Sequence, residues 1–129
     1  MASGIYNRYK ANLMNKEIDL EADTIKVALM DNSHSFTATD NTFSNTNEIT
    51  GTGYTAGGVT LAGKAVTQAA TTKFDATDSE WTSATFSAYH AVIYSGTDLI
   101  GSIDFGGEQA IVAAKFTISW NAAGIITLA

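Results

Sequence analysis

The run 89–105, YHAVIYSGTDLIGSIDF, limits the fold more than any other part of the chain. In its first half Tyr89, Ala91 and Ile93 alternate with His90, Val92 and Tyr94; in its second half Leu99, Ile103 and Phe105 share a face. A period of two marks a strand, because successive side chains of extended backbone point to opposite faces. The intervening SGTD is a connection of hairpin length. The same period recurs. TIKVALMD alternates at Ile25, Val27 and Leu29, and VTLAGKAVT puts Val59, Leu61, Gly63, Ala65 and Thr67 on one face. TTKFDA and WTSATFS read as further short strands, and KFTISW, NAAG and IITL as a closing hairpin. Short strands separated by Gly, Asn and Asp turns predict a mainly β fold, an antiparallel sandwich or barrel rather than βαβ units.

Two segments depart from that period. Residues 4–16, GIYNRYKANLMNK, place Tyr6, Tyr9 and Leu13 at helical spacing, with Ser3 as the N-cap, and predict one short N-terminal α-helix. Residues 32–50 are polar, with isolated Phe36, Phe43 and Ile49, and read as a long excursion. The expected layout is a single β domain over 1–129. It comprises a helix and acidic turn over 1–23, and a sandwich over 24–129 with a long polar loop near 32–58. That loop has the lowest apolar density in the chain and is expected to be its most mobile part.

Composition excludes several functions. The net charge is −6 and the seven basic residues are scattered, which argues against nucleic-acid binding. The chain has no Cys, which removes disulfides, thiol catalysis and thiolate zinc sites. No apolar run approaches the roughly 20 residues of a bilayer helix, so no membrane is expected as partner. MASGIYNRYK carries no apolar core of a secretory signal, so synthesis is expected in a cytoplasm.

The motifs that resemble catalytic ones fail on detail. Five glycines fall between Gly51 and Gly63, and Gly58 to Gly63 followed by Lys64 approaches a phosphate loop. Position 65 is Ala where a hydroxyl must hold the metal, and the run alternates like a strand where a helix must start. His34 and His90 are distant in sequence and lack the further ligands zinc needs. Asp75, Asp78 and Glu80 lie close together, where a Ca²⁺ ion would sit if the chain bound one, but the EF-hand pattern is absent. No catalytic residue, cofactor or metal is expected, and no enzyme activity.

The segments IYNRYKANLMNKEIDLEADTIKVALMD, GTGYTAGGVTLAGKAVT, FDATDSEWTSATFSAYHAVIY and LIGSIDFGG, in this order, resemble a family of small tailed-phage virion proteins. The resemblance covers nearly the whole chain. It implies an all-β virion component present in many copies, made in the host bacterial cytoplasm. The expected role is a capsid decoration, or cement, protein on the outer head surface. The alternative is a tail or tail-fibre component, including a receptor- or carbohydrate-binding tip. The implied partners are the major capsid protein or tail proteins, together with further copies of the chain. Aromatic residues are enriched where interfaces bind most strongly. Tyr6, Tyr9, Phe36, Phe43 and Tyr54 lie outside the strand-rich half and are candidates either for subunit contacts or for anchoring in the core, with Leu13, Arg8 and Lys10 beside them as contact candidates.

Overall fold

The computed structural model describes residues 3–128; Met1, Ala2 and Ala129, the ends of the expected domain, lie outside it. In chain order the elements are β1 (Gly4–Ile5), α1 (Asn7–Met14), β2 (Lys26–Met30), β3 (Val59–Thr60), β4 (Ala65–Thr67), β5 (Thr72–Asp75), β6 (Ser79–Ser95), β7 (Asp98–Ile118) and β8 (Ile126–Leu128). They form two antiparallel sheets, one five-stranded in the order β1-β7-β6-β2-β3 and one three-stranded in the order β4-β5-β8. The large sheet is open, ending at β1 and β3, so the architecture is a sandwich and not a barrel.

The β6–β7 hairpin is the spine. WTSATFS and YHAVIYS are one strand of 17 residues, and LIGSIDF continues through KFTI as one strand of 21. The inequality is absorbed by register shifts between Trp81 and Ala84, Ala84 and Phe86, Ala88 and His90, and Ile93 and Tyr94. Ser83 and Ala113 take positive φ, 49° and 47°, within these irregular stretches. Bulges of this kind bend and twist a long ribbon so that it can wrap a core.

Both faces of the large sheet are covered, which is why residues 90–94 are buried without a break. On one face Val27, Leu29, Ala91, Ile93 and Ile100 join a core with Phe74 and Ile126 of the small sheet and with Trp81, Phe86 and Phe116. On the other, Ala28, Met30, Val92, Tyr94 and Leu99 pack under Tyr6, Phe36 and Phe43. Segment 31–50 is therefore a cover, not a free excursion. Phe43 stacks on Tyr94 with centroids 4.0 Å apart and planes at 3°, and Phe36 meets Tyr6 edge-on at 4.8 Å. Backbone bonds from Asp31 to Asn47, Phe43 to Thr97 and Ile49 to Leu29 tie it down along its length.

Three sequence expectations are corrected. Gly4 and Ile5 pair with Ser102 and Gly101 as strand, so the helix begins only at Asn7, and Tyr6, not Ser3, is its N-cap. VTLAGKAVT is not one strand: it breaks between β3 and β4, where Gly63 has φ 61° and an added Cβ would fall 2.1 Å from Thr77 Oγ1. IITL does not return along KFTISW; it pairs with β5, placing Ile126 opposite Phe74.

Candidate functional site

An apolar cleft of about 370 Å³ lies between the end of α1, the acidic turn and the small sheet. Its floor follows from strand register. Val66, Phe74 and Ile126 are cross-strand neighbours on one face of the small sheet; Phe74 and Ile126 reach the core, while Val66 stays 43% exposed. Leu128, opposite Thr72, is 56% exposed on the same side. Ile18 and Leu20 are buried beneath the turn that closes the cleft. That turn is shaped by its own carboxylates: Asp19 Oδ1 accepts from the backbone N–H of Glu21 and Ala22, and Asp23 Oδ2 from that of Asp19.

Helix α1 forms the remaining wall. Eight residues are too few to hold a helix alone. It is fastened by Tyr9 in the core, by the Asn7 N–H donating to the Ala38 carbonyl at 2.9 Å, and by Asp98. Asn12 is buried and its Nδ2 donates to Asp98 Oδ2 at 3.0 Å, while Arg8 Nε reaches Asp98 Oδ1 at 3.4 Å. That attachment leaves Leu13 on the cleft and Met14, 87% exposed, beyond it.

The candidate contact residues fall into three groups. Tyr6 and Tyr9 are 1% and 2% exposed, so these rings are core and offer no outer surface. Phe36, Phe43 and Tyr54 are half-buried against other rings of the same chain. Leu13, Arg8 and Lys10 remain exposed, with Arg8 engaged by Asp98. The structure thus brings Tyr9 and Leu13 together at the cleft, and adds Met14, Val66 and Leu128, which the sequence did not single out. Val66 lies on the polar face of an apparently continuous strand, and only the break at Gly63 frees it to share a face with Phe74.

A second cluster is buried under the 31–50 cover. His34 and His90 lie edge-to-face with ring centroids 5.1 Å apart. His34 Nε2 is 3.0 Å from Ser102 Oγ, whose side chain also bonds the Tyr6 hydroxyl. His90 Nδ1 lies 3.8 Å from Asp104, and its buried Nε2 has no hydrogen-bond partner among the described residues. Burial lowers the pKa of both rings; the neighbouring His90 lowers His34 further, and Asp104 opposes the shift at His90. Against the core of the other sheet face, the Tyr54 hydroxyl donates to Glu48 Oε2 in a short bond and accepts from the Leu29 N–H at 3.1 Å. Burial, then the Glu48 hydrogen bond, raise its pKa far above the ordinary tyrosine value.

Each carboxylate of the run 75–80 has a partner within the chain. Asp75 Oδ1 accepts from the Ala76 N–H, Asp78 Oδ1 from the Trp120 N–H, and Glu80 pairs with Lys115 at 3.4 Å. Among the described residues no three His, Asp or Glu side chains are grouped as metal ligands. No described helix is long and apolar enough to cross a membrane. Compared with family models, with curated proteins and with solved structures, the chain matches none.

Proposed function

We propose that the chain is a virion structural protein of a tailed phage, a capsid decoration protein on the outer head surface, docked through the cleft between α1 and the small sheet. The observation that carries the docking surface is the exposed apolar lining there. Leu13, Val66 and Leu128 are 37%, 43% and 56% exposed, with Met14 adjacent at 87%. Grouped exposed apolar side chains mark interaction surfaces, whereas scattered ones do not. The virion assignment rests on the sequence resemblance, and the net charge of −6 suits an outer surface away from packaged nucleic acid. The occupant is an apolar segment of the major capsid protein.

Particle binding tests this directly. Leu13→Glu with Met14→Glu should strip the protein from heads, while Arg8→Ala with Lys10→Ala should weaken attachment less. Retention of the apolar variant would remove the cleft from the docking surface. Copy number in purified virions tests the location: hundreds of copies fit a shell, and a handful would move the protein to the tail.

A further inference from the structure

The outer edge of β7 is unpaired over much of its length. On that side β1 bonds only Gly101 and Ser102, and among the described residues no strand follows. Residues 106–115, GGEQAIVAAK, are exposed except for half-buried Ile111, and Val112 is 75% exposed. Open edges are normally blunted by proline, by inward charge or by a covering loop. Here the chain has no Pro and the central AIVAA carries no charge, although a bulge at Val112 and Ala113 twists the strand locally.

We propose that this edge pairs with the same edge of a second copy about a two-fold axis, joining two large sheets into one. The pattern is self-complementary. An axis normal to the sheet requires facing residues to lie on the same face. The ladder with β6 places Ile111 opposite Phe86 and Ala114 opposite Ala84, so two residues, Val112 and Ala113, stand against Thr85 alone. The amide of Ala113 turns inward to Thr85 Oγ1 at 2.9 Å. Because of this bulge, Glu108 and Lys115 lie on one face although their numbers differ in parity. With Ile111 opposite the partner's Ile111, Ala110 meets the partner's bulged Val112 and Ala113, Gln109 meets the partner's Ala114, and Glu108 meets the partner's Lys115. Each half thus supplies one acid and one base to two symmetric pairs. Glu108 makes no hydrogen bond or ion pair within the described chain, and Lys115 is held on that outer face by half-exposed Glu80 at 3.4 Å. The pairing requires only the unpaired edge and the charge pattern, and is independent of where in a particle the protein sits.

Sedimentation equilibrium of the full chain, from micromolar to millimolar concentration, tests the pairing. The wild-type chain should dimerise. Glu108→Lys, which sets lysine against lysine twice, should weaken the dimer on the order of tenfold. Glu108→Lys with Lys115→Glu should restore it, with circular dichroism unchanged in both variants. Hydrogen exchange on the wild-type chain gives a readout without mutation: amides in 106–115 should gain protection as concentration rises, and those of β2 should not. A monomer at millimolar concentration, concentration-independent exchange along 106–115, or a dimer indifferent to charge reversal would each overturn the proposal.

Discussion

At Gly58 the φ angle is 82° and an added Cβ would fall 1.8 Å from the Val27 carbonyl oxygen, because the chain entering β3 lies directly against the backbone of β2, its antiparallel partner. Gly58→Ala should therefore destabilise the fold by at least about 2 kcal/mol, combining left-handed strain with displacement of β3. For a chain of this size that lowers the melting temperature by roughly 5–10 °C, readable by calorimetry. The histidine pair makes a second residue-scale prediction. Asp31 and Asp40 act on His34, and Asp31 and Asp104 on His90, but burial dominates and both pKa values fall below the ordinary 6.5. A histidine buried in its neutral form takes up its proton more readily when unfolded. Its contribution is complete above pH 6.5 and is lost as pH falls from there through the folded value. Melting temperature should drop between pH 7.5 and 5.5, and His34→Gln with His90→Gln should flatten that slope. An unchanged slope in the double variant would show that other groups set the acid response.

Among the elements, the 31–50 cover departs most from what composition suggests. Its polar residues and lone rings read as a mobile loop, yet each ring meets a partner far away in sequence: Phe43 on Tyr94, and Phe36 on Tyr6. Phe43→Ala should cost about 2–3 kcal/mol and open the segment to limited proteolysis near 40–47, because stacking and burial are lost together. Cleavage at the wild-type rate would mean that the backbone bonds alone hold the cover. Local periodicity made β2, separate pieces of the two long strands and the helical stripe of Tyr9 legible, since each is set by neighbours a few residues apart; it did not join those pieces or mark 106–114 as strand. It gave β8 the wrong partner, put Gly4 in the helix rather than beside Ser102 and could not decide Tyr6 between contact and core, since these depend on which distant surfaces meet. The cleft was half legible: Tyr9 and Leu13 declared a helix face, but Val66 became its opposite wall only through the break at Gly63.

For the whole molecule, charge and shape point the same way. With a net charge of −6, and with Arg8 already engaged by Asp98, exposed ion pairs contribute on the order of 0–1 kcal/mol each to docking. Under the proposed docking on a particle, attachment should therefore survive high salt and fail on apolar substitution in the cleft, a contrast that washing particles at two ionic strengths will display. The order of the sheet also sets an order in time. β1 pairs with residues 101 and 102, α1 is fastened to Asp98, and β2 pairs with 90–94. A ribosome delivers all three long before any of these partners leaves the exit tunnel. The first thirty residues must wait as unpaired chain until the β6–β7 hairpin closes on itself, and that closure then recruits them together. A nascent chain arrested before residue 88 should remain open to protease throughout, whereas one extended past the tunnel beyond residue 118 should acquire resistance in its oldest segment and its newest at the same moment.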